Sequence, residues 1–326
     1  MQRSSIVDAR AGVPGRARSA RPGYHRGDQI AHIVTFLFAA TIILITALLF
    51  YELYAGAGLT RAKFGWRFLT GTTWDPVALE FGALPFIYGT LVTSALALII
   101  GVPLGVGSAI FLAELAPPRL SEGFAFIIEL LAAVPSVIYG LLAIFTLVPL
   151  LRDFVAPPLQ SLLGFLPFFQ GQAYGVSLLA GGCILAIMIL PFVISISREV
   201  LLAVPREQRE ASLALGATRW ETTWNVVVPY AKAGIIGSIF LALARALGET
   251  MAVTMVIGND PKINLSLFAP GYSIAAAVAN EFTEATSNMH VSALIELGLV
   301  LFCITILVNA IARLMILTAT RRSPVT

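Results

Sequence analysis

Charge is scarce in this chain, because only 12% of its 326 residues are charged while 58% are hydrophobic. A soluble domain carries about 25% charged residues, so the composition argues against a soluble globular protein. Histidine and cysteine are rare as well. His25, His32 and His290 lack the spacing of metal ligands. Cys183 and Cys303 lie inside apolar runs, which predicts small core residues rather than a redox pair.

The motifs of common enzyme classes are also missing. The sequence contains no Gly-x4-Gly-Lys-Ser/Thr phosphate loop, so the chain cannot hydrolyse ATP by that route. No Ser-His-Asp set, metal cluster or supported carboxylate pair favours a membrane enzyme. We therefore predict no catalytic residue, no metal site and no cofactor bound by this chain. No segment of about 20 to 50 residues recurs, which excludes a repeat array.

Long apolar runs dominate the sequence. Each is long enough to cross about 30 Å of hydrocarbon as a helix, and the runs are continuous rather than alternating, which disfavours a β-barrel. We predict an all-α polytopic membrane protein with six transmembrane helices. The predicted spans are residues 30–54, 85–113, 124–151, 174–197, 233–257 and 291–317.

Basic residues set the predicted orientation. With the N-terminus inside, fifteen Arg and Lys residues lie on the cytoplasmic side, five lie outside and Arg245 lies in the membrane. This asymmetry places both termini in the cytoplasm, with tails at residues 1–29 and 318–326. The first tail is rich in Arg, Gly and Pro and is predicted to be flexible, and the run after it is too long for a signal peptide. The net charge of +3 reflects this bias, and we predict no nucleic-acid partner.

Two segments outside the spans are large. Residues 55–84 form a predicted external loop that has room for a periplasmic partner. Residues 258–290 contain a polar turn and then a short apolar stretch, residues 273–280, which fits either a surface helix or a re-entrant helix. Within the spans, glycines and prolines such as Gly105 and Pro135 fit either close packing or a hinge.

The segment from residue 199 to 232 switches from apolar to charged. Pro205 is well placed at a helix start, and Glu207 and Glu210 complement the helix dipole in the first turns. Gly216 supplies a stop or sharp turn. A second short helix is predicted to begin near Arg219. The pattern therefore predicts a helix–turn–helix between the fourth and fifth spans.

The same segment carries a spaced motif. Glu210-Ala-Ser-Leu-Ala-Leu-Gly216 is followed by nine residues and then Val-Val-Val-Pro229. This spacing resembles the EAA loop of ATP-binding-cassette (ABC) importer permeases, with Ser212 in place of the usual alanine. The resemblance implies a type I (MetI-like) permease fold. It also implies that Glu210, Ala211, Ser212 and Gly216 contact a separate ATPase, which uses ATP and Mg. The alternative is a solvated connecting loop.

Two opposite charges fall in the predicted fifth span. Arg245 and Glu249 are four residues apart, so on one helix they share a face and can pair. Charged residues inside a membrane are functional candidates, and an arginine fork suits a tetrahedral oxyanion. The pair therefore marks either a substrate path or an ion pair that fixes assembly. Glu129 and Glu296 are predicted to be buried carboxylates, for assembly or for the same path.

Further stretches resemble a narrower group, the PstC-type permeases of phosphate-specific ABC importers. The longest is Arg-Ala-Leu-Gly-Glu-Thr-Met-Ala-Val at the start of residues 245–259, where the sister PstA-type subunit usually has Ala-Pro after Gly-Glu-Thr. Residues 129–140, 186–191 and 279–282 agree. The likeness runs from about residue 85 to residue 313 and predicts a permease core at 85–317, preceded by a first span and loop at 30–84.

This resemblance implies function and partners. It implies phosphate import across a bacterial cytoplasmic membrane, by a heterodimer with a PstA-type permease, a PstB-type ATPase dimer and an external phosphate-binding protein. Permeases for sulfate, molybdate or another oxyanion, and the PstA-type subunit itself, remain alternatives. A channel or secondary transporter that works alone is a different class, and it leaves the EAA loop without a role.

Overall fold

The computed structural model describes residues 26–321, which are mainly helical. Contacts divide the chain into two units, residues 1–51 and 52–326. A hairpin of two short strands, β1 (Trp74–Asp75) and β2 (Glu80–Phe81), follows the third helix. The helices are α1 (Arg26–Gly56), α2 (Gly58–Phe64), α3 (Arg67–Thr70), α4 (Leu84–Ile110), α5 (Pro118–Ala132), α6 (Ser136–Leu142), α7 (Val148–Leu150), α8 (Ala156–Leu163), α9 (Leu178–Leu202), α10 (Arg206–Ala214), α11 (Arg219–Thr222), α12 (Val228–Leu247), α13 (Met251–Val256), α14 (Ile274–Glu281) and α15 (Asn288–Arg321).

The described part of the first unit is the beginning of α1. Thr35, Thr41 and Thr46 each donate a hydrogen bond to the carbonyl four residues earlier, at 2.8–2.9 Å. The hydroxyls are therefore satisfied within the helix, as a surrounding hydrocarbon requires. Most of the predicted N-terminal tail lies outside the described residues. The predicted boundary of the permease core at residue 85 stays a prediction.

Six helical stretches of the described residues are long and apolar enough to cross a membrane, which confirms the predicted number. Four of them agree with the predicted spans to within about five residues, and the third and fifth differ in their boundaries. The six stretches are Gly27–Gly56, Leu84–Leu115, Ser136–Leu163, Leu178–Leu202, Arg219–Leu247 and Asn288–Leu317.

The third span begins later than predicted. Helix α5 ends at Ala132, and Pro135 adopts an extended backbone with φ −58° and ψ 139° before the spanning stretch begins at Ser136. Proline cannot donate a helix hydrogen bond and disfavours a helical residue before it. The predicted span at 124–151 therefore combined two separate helices, of which only the second is long enough to cross.

The fifth span is shifted and interrupted. It begins at Arg219, ends at Leu247 and gives way to three non-helical residues before α13. Gly248 caps the C-terminus, where a glycine weakens helix continuation. The prediction of one continuous helix over 233–257 is therefore wrong at its C-terminal end.

Wide helical turns recur at related positions. Four five-residue π-helical turns occur in the described residues, and each ends two residues before a proline. Where the helix continues after the turn, hydrogen bonding from residue i to i+5 widens the backbone and relieves the clash between the proline ring and the preceding turn. The first turn ends its helix instead, because Ala116 adopts an extended backbone. The turns are Phe111–Leu115, Ala143–Leu147, Leu151–Val155 and Thr223–Val227.

Glycines allow α4 and α9 to pack closely at the centre of the second unit. A Cβ atom at Gly105 would lie 2.7 Å from Val193 Cγ1, and one at Gly182 would lie 2.5 Å from Leu96 Cβ. Both distances are too short for real side chains, so these glycines permit the close approach of the two helices. The geometry at Gly105 supports the packing interpretation.

The core prediction for cysteine is wrong for Cys303, which is exposed.

The segment at 258–290 ends in a buried rather than a surface helix. Residues Ile274–Ala277 of α14 are buried, and the backbone N–H of Ile274 donates to Thr90 Oγ1 of α4 at 2.9 Å. The helix also packs against α15, beside the hairpin. We refer to the end of the fold that carries β1 and β2 as the hairpin side, and to the end that carries α10 and α11 as the loop side.

Candidate functional site

The loop side carries the predicted helix–turn–helix. Helix α10 begins after Pro205, which has φ −57° and ψ 139°. The turn after it contains Gly216 with φ +90°, a conformation that favours glycine. Helix α11 then begins with a capping box, in which Thr218 and Glu221 satisfy each other's backbone N–H groups. The start, stop and second helix are therefore confirmed.

Most of the motif residues lie on the exposed surface of this helix–turn–helix. Glu210, Ala211 and Gly216 are exposed, whereas Ser212 is half-buried and its Oγ lies 3.0 Å from Thr222 Oγ1. The serine therefore links α10 to α11 rather than facing outward.

Large apolar side chains surround the exposed motif residues. Leu215 is 91% exposed, and Leu213, Trp220 and Trp224 are exposed too. The two tryptophan rings pack edge-to-face with centroids 5.6 Å apart. Exposed apolar clusters of this kind mark interaction surfaces. We call the exposed residues Glu210, Ala211, Leu213, Leu215, Gly216, Trp220 and Trp224 the coupling surface, after the contact with an ATPase that the sequence motif predicts.

An ion pair anchors this helix–turn–helix to the second span. The sequence did not predict it. Arg209 Nη2 lies 2.8 Å from Glu114 Oε1 in the π turn that ends α4, and its Nε lies 3.3 Å from Oε2. The same side chain donates to the carbonyls of Leu201 and Val204 at the end of α9. Arg209 therefore holds α4, α9 and α10 together. Adjacent charges in the loop sequence gave no signal that one of them points inward.

A second arginine extends this network. Arg198 of α9 donates from Nε and Nη2 to Ser121 Oγ of α5, at 3.2 and 3.0 Å, and Ser121 in turn donates to the Leu112 carbonyl at 2.7 Å. These bonds connect the helices at the base of the coupling surface. Together with Arg209, these side chains link α10 to the second span, the fourth span and α5.

We expect Gly216→Val to weaken coupling, because a β-branched residue at φ +90° costs roughly 1–2 kcal/mol and moves the turn. Transport should fall several-fold while membrane insertion is unchanged, as measured by uptake and by the amount of chain in the membrane. Gly123→Val on α5 is the matched control, since a Cβ there meets nothing within 4 Å and the backbone is helical. Equal effects of the two changes would contradict the role of the turn.

Arg245 lies in the last turn of α12, and its side chain is half-buried. Its guanidinium carbon lies 4.1 Å from the ring centroid of Phe192 on α9, within cation–π range. Its Nε is buried without a hydrogen-bond partner among the described residues. The guanidinium is thus oriented by an aromatic ring while hydrogen-bonding capacity is left unused.

Glu249 does not pair with Arg245, so the predicted i, i+4 ion pair is wrong. The ion pairs among residues 26–321 do not include it, because α12 ends at Leu247 and Glu249 lies in the interruption. Instead, Glu249 Oε1 accepts the backbone N–H of Ala252 at 3.3 Å. The carboxylate therefore caps α13, where negative charge complements the helix dipole.

The two further carboxylates differ from each other. Glu129 is exposed on α5, so its predicted burial is wrong, and the reason is that α5 is separate from the third span. Glu296 on α15 is buried as predicted, and its Oε2 has no hydrogen-bond partner within the described chain. Neither pairs with Arg245 in the part of the chain that the structure describes.

The hairpin side carries a polar cavity of about 720 Å³ that sequence reasoning also missed. Glu281 Oε2 accepts from Trp74 Nε1 at 2.8 Å and lies 3.1 Å from His290 Nε2. This carboxylate joins the hairpin, α14 and α15. Nearby, burial raises the pKa of Tyr272 to about 12, so its phenol stays neutral, and Asn280 donates to its oxygen at 3.2 Å.

Solved structures define the class to which this architecture belongs. The chain resembles a chain of the MetNI methionine ABC transporter, solved in an inward-facing conformation, with a TM-score of 0.53 and 15% identity, covering 76% of this chain and 99% of that one. It resembles a chain of the bacterial alginate ABC transporter with a TM-score of 0.57 and 14% identity, covering 90% and 96%. The fold is that of a MetI-like ABC importer permease.

Sequence relatives narrow the class. Residues 101–319 match the family described as binding-protein-dependent transport system inner membrane component. The phosphate transport system permease protein PstC of Mesorhizobium japonicum is 47% identical, covering 91% of this chain and 92% of the relative. PstC of Xylella fastidiosa strain 9a5c is 43% identical, covering 98% of each. The chain therefore belongs to this inner membrane transport family and, within it, to the PstC-type permeases.

Proposed function

We propose that this chain is one permease subunit of an ATP-driven importer for inorganic phosphate. The observation that supports phosphate as the substrate is the match to PstC proteins over nearly the full length of both chains. It extends through the interrupted fifth span, where Arg245 is available to an anion. The proposal thus rests on the relatives, on the fold and on Arg245, whose Nε has no hydrogen-bond partner among the described residues.

The coupling surface is the proposed contact with a separate ATPase. It combines exposed apolar side chains with Glu210 on a short helix pair, and a rigid base transmits its movement. In this proposal ATP and Mg²⁺ are used by a dimer of PstB-type subunits, and binding and hydrolysis of ATP switch the permease between its two access states. The loop side then faces the cytoplasm, together with both termini.

The remaining partners follow from the same assignment. A PstA-type permease forms the other half of the translocation path, and an external phosphate-binding protein delivers its anion at the hairpin side. The polar cavity beside Glu281 and His290 opens on that side. The bilayer surrounds the six spans, whose apolar side chains include many that are exposed in this single chain.

In the proposed substrate path, Arg245 binds the phosphate oxyanion. Its planar fork can donate two parallel hydrogen bonds to an anion. Phe192 holds the guanidinium from one face, which leaves the edge available to an anion. Glu249 does not contact the anion in this proposal. It positions the start of α13 beside the path by accepting the backbone N–H of Ala252.

The test is transport by the reconstituted complex. The chain is reconstituted in liposomes with its neighbour-encoded permease, ATPase and binding protein, and uptake of labelled phosphate is measured. We expect ATP-dependent uptake that unlabelled phosphate inhibits and sulfate or molybdate does not. Equal inhibition by sulfate would indicate a permease that transports several oxyanions. Uptake without the ATPase would instead indicate a channel or secondary transporter.

A further inference from the structure

Polar atoms without partners are concentrated where α2 meets α15. Six buried side-chain nitrogen or oxygen atoms of the described residues lack a hydrogen-bond partner, and three of them belong to Thr60, Arg61 and Glu296. The two helices are joined there by Ser292, whose Oγ accepts from the Thr60 backbone and donates to the Gly56 carbonyl. Unpaired buried polar groups are unfavourable, so a cluster of three indicates a missing polar partner.

Glu296 opens on an apolar groove of about 410 Å³ and is the one charged residue among those that line it. The residues of α15 that line the groove are spaced one, three or four positions apart along one face of the helix and run from Glu296 to Leu307. From Glu296 to Leu307 the helix rises about 16 Å. Cys303 and Leu307 are exposed, so the groove is open along the membrane-spanning part of the helix.

We propose that this groove binds a phospholipid with a primary-amine headgroup, of the phosphatidylethanolamine type. The ammonium group donates to the Glu296 carboxylate, and one acyl chain lies along α15 toward Leu307. About 16 Å is close to the thickness of one hydrocarbon leaflet, so the groove has the length of a chain. This binding site is independent of the proposed substrate and of the coupling surface.

Charge favours a zwitterionic lipid over an anionic one. Arg61 is close enough to Glu296 for their charges to interact, and its guanidinium carbon already lies 3.5 Å from the Tyr54 ring centroid. An ammonium beside Glu296 and a phosphate toward Arg61 keep the site neutral overall. Trp66 lines the groove and is 85% exposed, as expected of a residue at the level of lipid headgroups.

The headgroup is tested by native mass spectrometry of the full chain in detergent, titrated with phosphatidylethanolamine or phosphatidylcholine. Both lipids carry the same acyl chains, but choline has no N–H to donate. We expect one phosphatidylethanolamine molecule to bind at least about tenfold more tightly, as loss of a charge-assisted hydrogen bond predicts. Glu296→Gln should abolish this preference, whereas Glu80→Gln, an exposed carboxylate on the hairpin, should retain it. Equal binding of the two lipids, or a preference that survives Glu296→Gln, would overturn the proposal.

The groove is tested separately. Leu307→Trp fills its end without touching the headgroup site, so it should weaken binding of both lipids equally, and unchanged binding would contradict the acyl-chain position. A photoreactive group attached to Cys303 distinguishes a lipid from a protein occupant in the assembled transporter. Crosslinking to phospholipid is expected. Crosslinking to a helix of another subunit would assign the groove to assembly and overturn the lipid site.

Discussion

Phosphate uptake is expected to fall at least about 30-fold in Arg245→Gln, while the transporter still assembles. Glutamine keeps much of the length and some hydrogen-bonding capacity of the arginine but removes its charge and its two-pronged geometry. Losing a desolvated, charge-assisted contact with an anion costs about 2–5 kcal/mol, which corresponds to roughly a 30-fold to 4,000-fold loss of affinity. The measurement is labelled phosphate uptake by proteoliposomes, with co-purification of the partner subunits as the readout of assembly.

Two comparisons separate substrate binding from a structural role at this position. Arg245→Lys keeps the charge but loses the fork, so it should retain measurable uptake with a raised KM. Arg152→Gln changes an exposed arginine whose charge is paired with Asp153, and it should leave uptake unchanged. If Arg245→Gln prevents assembly instead, the residue serves helix packing through Phe192 and not the anion.

The loop was predictable because its signals are local. Pro205 sets the helix start, Gly216 adopts the one backbone conformation that excludes most other residues, and the polar stretch between two apolar runs fixes the position. Each signal acts within a few residues of itself. The six spans were predictable for a similar reason, since hydropathy over about 20 residues is a property of the segment alone.

The errors arose where tertiary packing or a single proline decides the outcome. Hydropathy does not distinguish a helix that continues through Pro135 from two helices that meet there. The i, i+4 rule assumes one continuous helix, and Gly248 ends that helix between Arg245 and Glu249. Glu129 was predicted to be buried because its segment was assigned to a span. These three errors therefore followed from extending a local periodicity across an interruption.

Long-range ion pairs had no signal of this kind. Arg209 and Glu114 are 95 positions apart and meet only after α4, α9 and α10 have packed. In the sequence Arg209 is adjacent to Glu210, an exposed residue of the motif, and the two look alike. The packed helices decide that one points inward and the other outward.

Arg209→Ala is expected to reduce both stability and coupling. The side chains of Arg209 and Glu114 are 19% and 10% exposed, and breaking a buried pair by removing one partner costs about 3–5 kcal/mol because the other charge is left unpaired. The complex should melt at a lower temperature, and the complex that remains folded should hydrolyse more ATP per phosphate transported. Arg206→Ala on the same helix, at an exposed position, should leave both measurements unchanged.

A double-mutant cycle shows whether the pair transmits force or only stabilises the fold. In Arg209→Ala with Glu114→Ala no charge is left unpaired, so the loss of stability should be smaller than the sum of the two single losses. Coupling should not recover with it, because the link between α10 and the end of α4 is still absent. The ratio of ATP hydrolysed to phosphate transported therefore separates the two roles. If this ratio returns to the wild-type value together with the melting temperature, the pair acts on stability alone, and the connection from the coupling surface to the membrane must lie in the Arg198–Ser121 contacts.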